Sequence, residues 1–389
     1  MTSKKREKNN VFLIAGTIDS NSIMENTKKL LNLLTSSSSI ILCTSCSNIK
    51  IEDPNVLKII HGRYTVPFPV DFMINQITLC LNILQCKRDF DINLVFLAFN
   101  HDLDFFPIFL CKLLNIPIII RSDGRNSLFI KFYSKKPKYF RYFVYKFLEE
   151  INYRQATVLL TESEYMLNFY NFDKYRQSLV GNLFVDLKKF SLTKPSQHRK
   201  YTFGFVGRFS HEKGILEFGK ALMQLQKTYN FTAIIIGEGE LEKKLKTQVN
   251  YTTSNQGDIE ILPWIDNQKL PDYLNDIKIL VVPSKKEGLP NIILEAMACG
   301  TIVLASDVGG VPSIIHDRKT GFLLDNNTSE GIANNLVMIM NFPDLGKIIE
   351  QAKTMIEKDY SFEAAQQNLL TAMNKYHIID KSGESGEIS

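Results

Sequence analysis

Short apolar runs alternate with stretches of helical spacing along almost the whole chain. Val11–Ala15 is a short apolar run ending at Gly16, the signature of a strand buried on both faces. Ser22–Leu34 follows with helical spacing, then strand runs at Ile40–Cys43 and Val56–Ile60, and a helix over Phe72–Gln85. The same alternation gives a strand at Asn93–Phe99, a helix at Phe105–Leu114 and a strand at Ile116–Arg121 that contains Pro117. A helix over 139–152 and a strand at Thr157–Leu160 close this half. Residues 186–200 are polar and basic and contain a proline, the composition of a linker. The alternation then restarts. Strands at Tyr201–Val206, Thr232–Ile236, Ile259–Leu262, Ile279–Val282 and Ile302–Ala305 are separated by helices at Ile215–Tyr229, Glu240–Asn250, Lys269–Asp276 and Asn291–Ala298. Two further helices are predicted near 329–340 and 362–376. Strands alternating with helices predict parallel sheets covered on both faces. Two such doubly wound units predict a cleft between them, with ligands at the carboxyl ends of the strands.

Length supports the division, since 389 residues exceed the size at which one core stops growing. The composition, 44% hydrophobic and 22% charged, is that of a globular protein and excludes general disorder. A net charge of +5 is too small to indicate a nucleic-acid binder. The six cysteines, Cys43, Cys46, Cys80, Cys86, Cys111 and Cys299, lie mostly inside apolar runs. The start, MTSKKREKNN, is basic and polar, which predicts a solvated tail, no secretory leader, and a reducing cytoplasm. No apolar stretch approaches the roughly 20 residues of a spanning helix.

Candidate chemistry therefore belongs in the strand-to-helix loops. Gly207–Arg208 ends the first strand of the second half, and Glu212–Lys213–Gly214 precedes its helix. Glycines let backbone approach a ligand, and two cations beside a helix N-terminus suit a diphosphate. A solvated turn with scattered charges explains the same residues. Gly237–Glu238–Gly239–Glu240 follows the next strand and reads as tight-turn geometry. The richest segment runs from Pro283 to Gly300, PSKKEGLPN into IILEAMACG. Pro290 suits a helix start and Gly300 its end. The helix between them is apolar nearly all round and predicted buried, with Glu295 as its sole ionisable group. A buried carboxylate needs hydrogen bonds or a charge partner, from a ligand or from neighbouring protein groups. Glu287 stands in the loop just ahead. Gly309–Gly310, after the next strand, permits another close backbone approach.

As a set, these motifs resemble the retaining GT-B glycosyltransferases of family 4, also described as glycosyl transferases group 1. The resemblance covers most of residues 201–325: the GR…EKG element, the Glu-x7-Glu pair Glu287/Glu295, AMACG, the glycine pair, and Gly321–Phe322–Leu323. It implies an α/β fold of two Rossmann-like doubly wound domains facing each other across a cleft. It also implies a nucleotide-diphosphate sugar, UDP- or GDP-linked, as donor, with no separate cofactor. Arg208 and Lys213 would hold the diphosphate, with Gly207 beside them. Glu295 would take the ribose hydroxyls and Glu287 the sugar hydroxyls. Backbone near Gly288, Leu289, Pro290 and Asn291 would approach sugar and phosphates, Pro290 without an N–H to offer. Trp264 and Ile265 lie where the family seats the base; a plain core role for Trp264 is the alternative. Growing charge on the leaving diphosphate would be met by two cations and a helix N-terminus, so no divalent metal is expected. Asp102–Leu103–Asp104 and Asp89–Phe90–Asp91 have the spacing of a metal signature but read as helix capping and turn chemistry respectively.

The first half matches the family only in layout. Gly16 stands alone where the family often has a glycine pair. Arg121–Ser122–Asp123–Gly124 stands where many members have His-Gly, so Asp123 either acts near the sugar or pairs with Arg121. His101 is a second candidate, against the usual surface position of a lone loop histidine. Cys43 and Cys46 form a Cys-x-x-Cys without a second pair, and read as a strand end rather than a redox or zinc site.

Residues 131–154 interleave seven Lys/Arg with nine Phe/Tyr against two Glu. That composition suits an anionic membrane surface. It also suits single-stranded nucleic acid, or a helix whose aromatic face packs on the sheet. With a sugar-transfer domain attached, the membrane reading is preferred and no nucleic-acid partner is expected. The resulting map is a basic tail at 1–10, an acceptor domain at 11–185, a linker at 186–200 and a nucleotide-sugar domain at 201–360. A helix at 361–378 packs back on the first domain, and a tail at 379–389 ends the chain. The expected protein is a retaining glycosyltransferase acting on a lipid-linked or growing glycan in cell-surface polysaccharide biosynthesis, held peripherally at the inner face of the cell membrane. A GT-B sugar phosphorylase, a nucleotide-sugar epimerase and a non-catalytic nucleotide-sugar-binding protein are the rivals. A dinucleotide-dependent dehydrogenase is disfavoured because no G-x-G-x-x-G follows the first strand.

Overall fold

The computed structural model describes residues 9–15, 21–44, 49, 51–61, 70–98, 101, 103–122, 125, 127, 139–175, 177–181, 183–250 and 257–375. The chain divides into two compact units, 1–182 with 366–389, and 183–365.

Unit 1 is built on a parallel sheet of β1 (Asn9–Ala15), β2 (Ser38–Thr44), β3 (Val56–His61), β4 (Leu94–Ala98), β5 (Ile118–Arg121), β6 (Val158–Thr161) and β7 (Ser178–Val180). Their order is β3-β2-β1-β4-β5-β6-β7, so the sheet grows outward in both directions from β1 and β4. Strands β4, β5 and β6 are buried along their whole length, as near-continuous apolar runs require when helices cover both faces. Its helices are α1 (Asn21–Thr35), α2 (Val70–Phe90), α3 (Phe105–Leu113), α4 (Tyr139–Gln155) and α5 (Glu164–Phe169). Right-handed crossovers from β4 to β5 and from β5 to β6 put α3 and α4 on one side of the sheet. There α2 packs against α3, and α3 against α4. Asn115, at φ 53, makes the sharp turn from α3 into β5.

Unit 2 has a second parallel sheet of β8 (Tyr201–Val206), β9 (Phe231–Ile236), β10 (Gly257–Leu262), β11 (Ile277–Val282), β12 (Ile302–Ser306) and β13 (Phe322–Leu324). The order β10-β9-β8-β11-β12-β13 puts its switch point between β8 and β11. Period-two alternation divides each central strand between two cores. Ala233 and Ile235 of β9 and Ile279 and Val281 of β11 enter one. Ile234, Ile236, Leu280 and Val282 enter the other. The covering helices are α6 (Ile215–Leu225), α7 (Glu242–Asn250), α8 (Leu270–Asp276), α9 (Asn291–Ala298), α10 (Ser329–Met340) and α11 (Leu345–Asp359). Helix α12 (Phe362–Lys375) begins in unit 2 and passes into unit 1 at Gln366, whose side-chain amide donates to Ser36 Oγ at 2.6 Å.

The polar stretch 186–200 packs within unit 2. Phe190 enters its core. The guanidinium of Arg199, 5% exposed, donates to the carbonyls of Lys194, Leu274, Ile277 and Cys299 and to Thr301 Oγ1. One buried cation thus satisfies carbonyls from three separate chain segments. Helix α11 fills a stretch where the alternation predicted no element. The described cysteines Cys43, Cys80, Cys86, Cys111 and Cys299 are free thiols. Burial pushes the Cys111 thiol up to about 12. Cys46 lies outside the described residues.

Candidate functional site

The site lies at the switch point of unit 2, where strand order reverses and two loops leave neighbouring strands. The β8 loop turns through a short 3-10 helix, His211–Lys213, and Gly214 closes it at φ 67. A side chain there would put its Cβ 2.2 Å from the Pro283 carbonyl oxygen of the β11 loop, so only glycine lets the two loops meet. They are joined by the Lys285 N–H, which donates to the Glu212 carbonyl at 2.7 Å.

That junction brings Lys213 and Glu287 together. Lys213 Nζ donates to Glu287 Oε1 at 2.6 Å, with the two side chains 25% and 10% exposed. Ser284 Oγ donates to the same oxygen at 2.6 Å. Ser284 is buried, and its carbonyl accepts from Asn327 Nδ2 at 3.2 Å. Asn327 in turn accepts from Ser306 Oγ at 2.8 Å, which ties the loops after β11, β12 and β13 into one unit. Gly309, at φ 58, lies under Glu287: a Cβ there would come 1.9 Å from the Glu287 carbonyl oxygen. Gly310 N–H donates to the Gly288 carbonyl at 2.6 Å. The glycine pair thus supports the carboxylate loop from below. Ser284, Ser306 and Asn327 escaped the sequence reading, because a short polar residue in a loop has no periodic signature; the position of Ser284, three residues before Glu287, was the one available hint.

The other expected residues surround this pair. Arg208 follows Gly207 and is largely exposed, its guanidinium 3.7 Å from Glu212. Glu295 lies on α9, 7% exposed. Burial, reinforced by Glu295 and opposed by Arg199, pushes the Cys299 thiol one turn on up to about 12. Pro290 is the N-cap residue of α9 and makes no side-chain cap bond. Leu289 sends its side chain into the core, which leaves only its backbone for a ligand. Gly288 is exposed, and Asn291 begins the helix. Asn291 Oδ1 and Ser210 Oγ are shielded from solvent without a hydrogen-bond partner. Trp264 is 53% exposed, which removes the core alternative. Its backbone N–H donates to Glu238 Oε1 at 3.4 Å, while Phe209 N–H donates to the Glu238 carbonyl, so the loops after β8, β9 and β10 are linked. Ile265 packs against the core beside it.

In unit 1, Gly16 and Asp123 lie outside the described residues, as do Asp102 and Gly124. Arg121 is buried against Glu162, so its charge has a structural partner other than Asp123. His101 is 2% exposed, which removes the surface alternative. Its Nδ1 lies 2.6 Å from Asp104 Oδ2, and Asp104 Oδ1 accepts from Gln76 Nε2 at 2.6 Å. The capping role expected of Asp104 is also corrected: it occupies the N-cap position of α3 without a capping bond, because both carboxylate oxygens are engaged elsewhere. Asp89 pairs with Arg88, and Asp91 turns the chain after α2 at φ 47.

Residues 188–360 match the model of the glycosyl transferases group 1. An uncharacterized glycosyltransferase of Methanocaldococcus jannaschii is 26% identical over 64% of this chain and 66% of its own length. The UDP-Gal:alpha-D-GlcNAc-diphosphoundecaprenol alpha-1,3-galactosyltransferase of Escherichia coli is 27% identical over 50% of this chain and 54% of its own length. The chain therefore matches about two thirds of one relative and about half of the other. The crystal structure of a glycosyltransferase from Rickettsia africae superposes with a TM-score of 0.75 at 16% identity, covering 97% of this chain and all of that one.

Proposed function

We propose that the chain, whose residues 188–360 match the glycosyl transferases group 1 and whose fold is that of the GT-B glycosyltransferases, is a retaining hexosyltransferase-like enzyme of that family. It moves a sugar from a UDP- or GDP-linked donor to a hydroxyl of a lipid-linked or growing glycan acceptor in cell-surface polysaccharide or glycan biosynthesis. The observation that carries this reading is the Lys213–Glu287 pair at 2.6 Å, set at the carboxyl ends of β8 and β11 beside the N-terminus of α9. Lys213 and Arg208 hold the diphosphate, next to backbone N–H groups that helical bonds leave free. Lys213 bridges that diphosphate to Glu287, which accepts from the sugar hydroxyls and so orients the ring. Glu295 takes the ribose hydroxyls, and the backbone around Trp264 and Ile265 seats the base. As the anomeric C–O bond breaks, its electron pair stays on the diphosphate, where the two cations stabilise it. The acceptor oxygen bonds to the same face of the sugar, and its proton passes to the departing phosphate oxygen. Glu287 positions the sugar and does not attack it, and Lys213 and Ser284 hold one of its oxygens. We assign no metal to the step.

The E. coli relative, whose name specifies a UDP-linked donor and a diphosphoundecaprenol acceptor, supports a UDP donor and a lipid-linked acceptor. Such an acceptor puts the enzyme peripherally at the inner face of the cell membrane. The test is a thermal-shift panel of UDP, GDP and their sugars on the native chain and on Glu295→Gln. A ligand at 100 times its dissociation constant adds ~2.7 kcal/mol to the native state. One nucleotide should stabilise the native chain and lose most of that shift in the variant. If no nucleotide shifts the native chain, the transferase reading fails and a non-catalytic role replaces it.

A further inference from the structure

Helices α2, α3 and α4 lie side by side on one face of the unit 1 sheet, and each turns apolar side chains outward as well as inward. On α2 the inward set is Leu79, Ile83 and Cys86, all buried. The outward set is Ile74, Ile77, Leu81 and Leu84, between 43% and 61% exposed and spaced three and four residues apart. On α3 the same spacing exposes Phe106, Phe109 and Leu113, the last at 65%. On α4 it exposes Phe140, Phe143 and Phe147, at 77%, 62% and 64%. Phe106 N–H donates to Gln76 Oε1 at 3.0 Å, which ties the start of α3 to α2. Three adjacent helices therefore present one apolar face outward. Scattered exposed apolar residues are ordinary; a row repeated on three packed helices marks an interaction surface.

Charge decides what covers it. On α4, Arg141 and Lys146 stand among the exposed phenylalanines, and no acid precedes Glu149. Lys112 adds a base in the last turn of α3, whereas Lys87 and Arg88 in the last turn of α2 are paired with Asp91 and Asp89. The acids of α4 are turned to other work: Glu149 is buried and holds Ser127, and Glu150 pairs with Arg125 and Lys174. Two copies meeting through this face about a twofold axis would press the same helix bases against each other. An anionic bilayer meets both features at once, with rings at headgroup depth and bases at the phosphates.

We propose that the outer face of α2, α3 and α4 docks the protein onto an anionic lipid surface. The inference deepens the membrane part of the proposed function, and its test does not depend on sugar transfer. The full chain is sedimented with vesicles of phosphatidylcholine alone and of phosphatidylcholine with phosphatidylglycerol. The native chain should bind the anionic vesicles and release them as salt rises. Phe143→Ser with Phe147→Ser, and separately Leu81→Ser on α2, should weaken binding by about tenfold or more. These side chains are already exposed, so the nucleotide thermal shift should survive in both variants, which separates failure of docking from failure of the donor site. Native-like vesicle binding by both variants would overturn the proposal, as would no binding by the native chain. So would a dimer in light scattering that the same substitutions dissociate, which would assign the face to a second copy.

Discussion

Glu287 accepts two hydrogen bonds on one oxygen, from a partly buried ammonium and from a buried hydroxyl. The two donors differ in consequence. Lys213 brings charge that the proposed function shares with a diphosphate, whereas Ser284 is anchored through its own carbonyl to Asn327 and so fixes where the carboxylate points. Ser284→Ala is therefore expected to lower kcat by about tenfold, with the dissociation constant for UDP unchanged and Ser284→Thr restoring most of the rate. Steady-state kinetics beside nucleotide titration checks this, and equal loss of binding and rate would contradict a positioning role. Glu150 illustrates a structural carboxylate. Partial burial opposes its charge, but hydrogen bonds from Lys174 and Arg125 outweigh that and hold the carboxyl down to about 2. A folded value below the unfolded one, near ~4.3, stabilises the protein above that pH and is lost as pH falls toward 2. Acid titration of stability for Glu150→Gln should show a shallower loss than the native chain across that window, with lower stability at neutral pH.

At the scale of elements, the site is a meeting of loops whose approach depends on glycine. Gly309 has both a left-handed φ and a carbonyl where its Cβ would stand. Gly309→Ala should therefore displace the Glu287–Gly288 backbone and destabilise unit 2 by about 1–3 kcal/mol. Urea denaturation reads the stability and nucleotide titration the site; native stability in the variant would mean that the loop relaxes freely. Helix α9 shows how local sequence sets an element fully: Pro290 before it, an apolar circumference within, and Gly300 at φ 69 ending it. Helix α2 shows the opposite. Its apolar residues face both ways, so spacing alone identifies a helix without saying which side meets the sheet.

At the scale of the molecule, two sheets with separate cores share one chain. Scanning calorimetry is expected to resolve two transitions, because each unit buries its own apolar set. A nucleotide bound at the β8–β11 switch point should raise one transition and leave the other in place. A single transition that shifts as a whole would show the units to be energetically coupled. No described helix is long and apolar enough to cross a membrane.

By itself the sequence determined the parallel α/β class, most of the strands and helices, and the loop motifs of unit 2. These follow from local rules: a strand covered on both faces reads as an apolar run, and a loop that backbone must approach closely reads as glycine. Tertiary structure alone decided which strand ends are neighbours, and with that the pairing of Lys213 with Glu287 across 74 residues. It also placed Gly309 beneath that carboxylate, buried His101 against Asp104, and drew Phe190 and Arg199 into unit 2 from a stretch that reads as linker. The physical reason is common to all of them. Contacts between distant segments depend on strand order and on what covers each face, and neither leaves a periodic mark on the residues involved.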